Sequence, residues 1–270
     1  MNELLNKFVS EMVMRNYSEN TIRTYESLVK LFLVHFNQSP REINEDEIKV
    51  YIRQSSSISL LKQRIGSIKL FYKLVVHQPL KFRYIQYPRR EAKLPVVLTP
   101  GEVARLIGVV KNIKHKAIIM LFYSTGMREA ELLNLKMDDI DSNRMVIKIN
   151  SGKGKKDRFV PLSTKMLELL RDYYREYHPV NYLFNGQFSD RYSGTSIRNL
   201  LKRYARMAGI NKRIYPHLLR HCSATHLYEN GTDISVIQRI LGHKSQRTTQ
   251  IYAHMSTQVL SKVTTPDMIL

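Results

Sequence analysis

The sequence predicts a mainly α-helical chain in two parts, with a small β-hairpin or sheet in the second. Three observations lead there. Apolar residues recur at helical spacing through the first 76 residues and over most of the second half. A charged, proline-bracketed stretch without periodicity separates the two near residues 86–95. One alternating stretch after residue 144, followed by a glycine-containing turn, is the only clear break in the second half's helical texture.

The first part reads as helices throughout. Ser18 caps a helix over 19–36, with Ile22, Tyr25, Leu28, Val29 and Phe32 on one side. Asn44 followed by Glu47 has the form of a capping box and starts a helix to about 54. Residues 59–76 give a further helix with Leu60, Leu61, Ile65, Ile68, Phe71 and Tyr72 inward. Its polar positions carry Lys62, Arg64, Lys69 and Lys73, which suits either a solvated face or a phosphate-contacting one. The predicted domains are 1–85 and 98–270, joined by a linker over 86–97. Arg89, Arg90 and Lys93 in that linker, with Lys81 upstream, fit either a solvated tether or a strand lying along a polyanion.

In the second part Thr99, Pro100 and Glu102 make a strong helix start. A helix over 115–124 stops at Gly126, and Arg128 lies just beyond it. Residues 144–150 alternate Met145, Ile147 and Ile149 against Val146 and Lys148, and 158–162 is extended. The segment 151–157 between them is a hairpin turn that carries Lys153. Ser163 caps a helix to about 177, and 195–208 is helical up to Gly209. Residues 217–229 form a helix that ends at Gly231. Asp233 caps one that runs to Leu241 and stops at Gly242, and Tyr252 lies on or beside a last short helix.

Composition narrows the partners. Forty-three Lys and Arg against 23 Asp and Glu give a formal net charge of +20, a surface that attracts polyanions such as nucleic acid. The single cysteine, Cys222, allows no intrachain disulfide and no zinc ribbon, and fits a reducing compartment. The start of the chain lacks the pattern of a signal peptide. The most apolar run, residues 117–123, is far short of the ~20 residues needed to span a bilayer. The expectation is a cytoplasmic protein with no membrane contact.

Six residues then stand out: Arg128, Lys153, His217, Arg220, His243 and Tyr252. Singly, each has an ordinary reading. Arg128 can be a surface arginine after a helix stop, and His217 and Arg220 a pair on one helix face. His243 can be a helix C-cap, and Tyr252 is one of 16 tyrosines. His217, His221 and His226 suggest a metal site, but no His-Glu-x-x-His is present and no metal is expected. Together the six suit phosphoryl transfer. Two arginines can hold a phosphodiester, a phenol can attack it with help from histidines, and a lysine can protonate the departing oxygen.

In this order and setting they resemble the active site of the tyrosine recombinase (phage integrase) family. The resemblance includes Glu131 and Leu132 after the first arginine, and the run from Gly152 to Arg158. It continues through Ala224-Thr225-His226 and the segment from Ile237 to His243 that leads to Tyr252. It spans the whole second part; the first part, from Tyr17 to Thr21 into its helix, is similar to the family's helical core-binding domain. Cys222, Ser223 and Leu218 depart from the usual residue types, with a buried structural thiol and looser packing at Ser223 as the consequences. The plan is closest to simple Xer-type or mobile-element recombinases.

The resemblance implies a two-domain clamp on double-stranded DNA. Tyr252 would form a 3′-phosphotyrosine, with no cofactor, because the covalent link conserves the phosphodiester's energy. Arg128 and Arg220 would hold the non-bridging oxygens, Lys153 would protonate the 5′ oxygen, and His217 would accept or relay the tyrosine proton. His243 would donate to the phosphate, and Glu131 would orient its neighbours. Lys62, Arg64, Lys69, Lys73, Arg89, Arg90, Lys93, Lys155, Lys156 and Arg158 are the expected DNA contacts. A tetramer passing through a Holliday junction is implied; the apolar tail over 256–270 either folds back on its own catalytic domain or, as the resemblance implies, docks into a neighbouring subunit. Two other readings are a type IB topoisomerase, marked by supercoil relaxation without junctions, and a catalytically idle DNA-binding protein, marked by the absence of covalent adducts.

Overall fold

The computed structural model describes residues 2–79, 84–88, 96–150, 157–243 and 245–255. Lys81, Arg89, Arg90, Lys93, Lys153, Lys155, Lys156 and the tail over 256–270 lie outside the described residues. The chain divides into two compact units, residues 1–92 and 93–270.

The first unit is built from α1 (Asn2–Met14), α2 (Glu19–Phe36), α3 (Glu45–Arg53) and α4 (Ile58–Phe71). Local chemistry sets their starts. Ser18 accepts from the Thr21 amide, and Asn44 and Glu47 exchange both bonds of a capping box. Two differences from the sequence reading appear in α4. Ser57, whose hydroxyl accepts from the Leu60 amide, begins it one turn-position earlier. Its last turn is not α: Tyr72–Val76 winds as a π-helix that ends on His77 in the left-handed region. This widened turn keeps Tyr72, Leu74, Val75 and Val76 all buried, and the Tyr72 hydroxyl reaches the Pro40 carbonyl at 2.6 Å. Phe8, Met12, Phe32, Ile48, Ile68 and Phe71 form the centre of this unit's core.

The basic side chains of α4 do not share one face. At 100° per residue Arg64 sits roughly 200° from Lys62. It turns inward to α3, where its Nη1 donates to the Tyr51 carbonyl at 3.2 Å and its guanidinium covers the Tyr51 ring. Arg64, half-buried, thus ties α4 to α3. Lys69 donates to the Ile85 carbonyl at 2.5 Å and lies over the Tyr87 ring, so it fixes residues 84–88 against α4. Lys62 is half-buried and Lys73 exposed.

The second unit contains α5 (Pro100–Gly108), α6 (Ile113–Thr125), α7 (Glu129–Leu133) and a 3₁₀ turn, Met137–Asp139. A three-stranded antiparallel sheet follows, in the order β1 (Ile140–Asp141), β2 (Val146–Ile149), β3 (Arg158–Pro161). Ile147 pairs with Ile140 on one side and Val160 on the other, so the buried face is continuous across the strands. Then come α8 (Thr164–Tyr177), α9 (Gly194–Met207), α10 (Pro216–Glu229), α11 (Ile234–Leu241) and α12 (Gln246–Met255). The capping box at Thr99 and Glu102 and the caps at Ser163 and Asp233 form as predicted. Asn112, accepting from the His115 amide, starts α6 two residues before the predicted start.

The central element is α10. It packs on α6, α9, α11 and α12, and is buried on almost every side, by Leu218, Leu219, Cys222, Ser223, Ala224 and Thr225 among others. Cys222 is a buried structural thiol: its sulfur accepts from the Leu98 amide at 3.2 Å, and burial pushes its pKa up to about 11. Ser223 is buried with its hydroxyl unpartnered among the described residues. His226 is no metal ligand. Its Nε2 donates to the Leu98 carbonyl at 3.0 Å, which leaves Nδ1 to accept from the Tyr123 hydroxyl at 2.8 Å. Among the described residues no His, Cys, Asp and Glu cluster could hold a metal ion. No described helix is long and apolar enough to cross a membrane.

Candidate active site

Three helix ends meet at one point. The C-terminus of α6 ends on Gly126, whose φ of +60° and contact with Leu241 leave no room for a side chain. The chain then turns, and Arg128 enters α7. From α10 comes Arg220, fully buried at 0% exposure. The third end is that of α11, closed by Gly242, again left-handed, with the Arg158 side chain 3.0 Å from where a Cβ would stand.

A helix C-terminus carries unpaired carbonyls and a partial negative charge. In α11 three successive carbonyls each accept from a different arginine. Arg158 Nε reaches Ile240 at 2.6 Å, Arg220 Nη2 reaches Leu241 at 2.6 Å, and Arg128 Nη2 reaches Gly242 at 3.3 Å. Arg220 Nη1 also donates to Gly126 at 2.6 Å, while its Nε has no partner among the described residues. Such fixing is required, because burial and the nearby Arg128 charge lower the Arg220 pKa to about 10.

Glu131 is the counter-charge. Its carboxylate accepts from the Arg128 amide at 2.8 Å, Arg128 Nη1 at 2.7 Å, and Arg158 Nη1 and Nη2 at 2.9 and 2.8 Å. Burial alone would raise its pKa; the bonds from Arg158 and Arg128 outweigh it and hold the group at about 2. Glu131 thus holds both the backbone amide and the side chain of Arg128. Arg158, expected as a DNA contact, turns inward: its guanidinium is engaged on all three nitrogens and its side chain is 9% exposed. The deciding partner, Glu131, is 27 residues away.

Tyr252, on α12, is 1% exposed and packs among Ala224, Ile237 and Leu241. Burial raises its pKa, and the Arg220 and Arg128 charges pull in the opposite direction. The His243 ring stacks on it, nearly parallel at an 11° angle, with centroids 6.3 Å apart. The imidazole of His243 is tied to the Thr249 hydroxyl at 3.0 Å and does not cap α11; its backbone amide does that, bonding to Gln238. The phenolic oxygen lies 3.2 Å from Nδ1 of His221, a residue the sequence reading used only in a metal argument. His217 and His221, one turn apart on α10, meet edge to face at 4.3 Å. All three histidines are held below the usual imidazole range by burial and by Arg220. The value is about 4 for His221 and for His243.

A cleft of roughly 820 Å³ opens beside this cluster, walled by Arg128, Arg198, Arg213, Tyr215 and His217. Arg198, also missed by the sequence reading, is held against Glu129 at 2.6 Å. The described residues thus bring Arg128, Glu131, His217, Arg220, His243 and Tyr252 into one site. Lys153 lies outside them.

Comparison with known proteins agrees with this chemistry. The model of the phage integrase family matches residues 96–258, and that of its N-terminal SAM-like domain matches residues 4–82. A putative integrase/recombinase of Sinorhizobium fredii is 33% identical over 100% of this chain and 90% of its own. Tyrosine recombinase XerA of Pyrococcus horikoshii is 32% identical over 96% of this chain and 91% of its own. A crystal structure of XerA recombinase aligns with a TM-score of 0.59 at 34% identity, covering 97% and 96% of the two chains. The XerH site-specific recombinase bound to palindromic difH substrate, a post-cleavage complex, aligns with a TM-score of 0.74 at 25% identity, covering 92% and 80%.

Proposed function

Since the chain belongs to the phage integrase family, we propose that it is a site-specific recombinase that cuts and rejoins duplex DNA with Tyr252 as its nucleophile. The observation that carries the assignment of roles is the meeting of Tyr252, two histidines and two arginines around the end of α11. The Tyr252 oxygen attacks the scissile phosphorus, and the P–O5′ bond breaks. The products are a 3′-phosphotyrosine and a free 5′-hydroxyl. Arg128 and Arg220 bind the non-bridging oxygens with charge-assisted bonds that tighten as charge builds there. Lys153 protonates the leaving 5′ oxygen. His217, neutral in the cleft wall, takes the tyrosine proton onward, and His243 donates to the phosphate. A 5′-hydroxyl of a second duplex then attacks the phosphotyrosine and releases Tyr252.

In this reading residues 1–85 form the core-binding domain, 86–97 the linker and 98–270 the catalytic domain. Lys62, Arg64, Lys69, Lys73, Arg89, Arg90, Lys93, Lys155 and Lys156 meet the DNA backbone, and four copies act on two sites through a Holliday junction. The test is trapping on a nicked suicide duplex. Wild-type chain becomes covalently attached, and Tyr252→Phe binds equally but stays free. A Phe variant that still attaches moves the nucleophile elsewhere.

A further inference from the structure

The Tyr252 hydroxyl is bonded to His221, not to His217. We propose that His221 is a further catalytic residue: its Nδ1 accepts the hydroxyl hydrogen of Tyr252 and holds the oxygen beside Arg220, in line for attack. The inference rests on Tyr252 being the nucleophile.

Four observations support it. The oxygen-to-nitrogen distance is 3.2 Å, within hydrogen-bond reach. The two groups come from different helices, α10 and α12, and the contact spans 31 residues of sequence, so it fixes the approach of one helix to the other. His221 lies next to Arg220 in the chain, and its ring is braced by His217 at 4.3 Å on one side and by the Tyr252 ring at 5.7 Å on the other. Finally, the titratable groups near it among the described residues include Arg220 and His217 on its own helix, Tyr252 on α12 and His243 after α11, and burial beside them keeps the imidazole neutral.

A neutral imidazole with hydrogen on Nε2 has a lone pair free at Nδ1, which is what a phenol O–H requires. A phenol free to turn within its pocket aims its oxygen lone pairs away from phosphorus for part of the time. One bonded at a fixed site on α10 does not. The loss of a single orienting hydrogen bond is worth on the order of tenfold in rate. His221 orients the phenol in the resting site; the final acceptor of the proton is His217, as proposed above.

The test compares His221→Phe with His221→Asn. Asparagine places an amide oxygen near the former Nδ1 position and so restores an acceptor without a base. Cleavage by Tyr252 is timed on a suicide duplex. In parallel, ligation is timed on DNA carrying a 3′-(p-nitrophenyl) phosphate, where a 5′-hydroxyl expels nitrophenolate and the Tyr252 oxygen takes no part. The expected result is about a tenfold slower cleavage in His221→Phe, with a cleavage defect several times larger than any ligation defect, and recovery to within about threefold of wild type in His221→Asn. Equal defects in the two reactions would mean lost packing and overturn the proposal. So would undiminished cleavage in His221→Phe, or a His221→Asn variant as slow as His221→Phe, which would make His221 a base. Tyr252→Phe is run alongside. If it still attaches to DNA, the nucleophile assignment fails first and separately.

Discussion

Replacing Arg158 by methionine keeps the volume of its stem and removes only its charge and donors. Three bonds are lost: two to Glu131 at 2.9 and 2.8 Å, and one to the Ile240 carbonyl at 2.6 Å. Both partners of the ion pair are 9% exposed, so water does little to replace them. Breaking a buried pair costs about 3–5 kcal/mol because one charge is left behind. Here Glu131 keeps Arg128, so about 3 kcal/mol is expected. Removing Glu131 as well, as Glu131→Gln, takes away the stranded charge. The double variant should therefore be less destabilised than the two single losses combined, by about 2 kcal/mol. Urea unfolding of the four proteins, with the transition of the second unit followed by hydrogen exchange in β3 and α10, measures the coupling. Additivity to within about 0.5 kcal/mol would show that Arg158 and Glu131 do not act as a pair and would refute the reasoning. The cleavage rate should also fall in Arg158→Met, because Glu131 then holds Arg128 less firmly.

Other expectations follow from the same site. The folded pKa values of His217, His221 and His243 lie below the unfolded value of about 6.5, so their contribution to stability is complete above pH 6.5 and is lost as pH falls, down to about 4 for His221 and His243. Glu131, lowered to about 2, adds stability above about pH 4.5 that disappears between there and pH 2. Melting of the DNA-free protein should fall through both windows, and a melting temperature that rises on acidification would contradict the assignment. Lys153→Ala should be slowed ~10²–10⁴-fold on ordinary DNA and largely rescued by a 5′-bridging phosphorothiolate, whose thiolate leaves unprotonated. An equal defect on both substrates would remove Lys153 from the acid role. DNA affinity should fall with salt at roughly 0.9 per phosphate contact in the log–log slope, and reversing Arg89, Arg90 and Lys93 together should flatten it. An unchanged slope would make the linker a passive tether.

What the sequence makes legible is what neighbouring residues decide. The capping boxes at Asn44–Glu47 and Thr99–Glu102 are complete within four residues, and the stops at Gly126 and Gly242 need only a left-handed residue. Strand β1 is two residues long and carries no alternation to detect. The π-turn at Tyr72–Val76 is a tertiary adjustment that buries four of its five side chains, and helical spacing alone gives no sign of it. In the site, motif order points to Arg128, His217, Arg220, His243 and Tyr252. It does not show that Arg158 turns inward, because a basic residue faces solvent or a carbonyl according to partners far along the chain. His221 escaped for the same reason: its partner is a hydroxyl 31 residues on.

The central claim is that Tyr252 itself becomes the covalent link to DNA. The most direct measurement is to trap wild-type chain on a suicide duplex, digest the adduct with a protease and a nuclease, and sequence the modified peptide by mass spectrometry. The account predicts a peptide modified at Tyr252, joined to the 3′ phosphate of the cleaved strand and leaving a free 5′-hydroxyl. Linkage through any other residue, or to a 5′ phosphate, would contradict it.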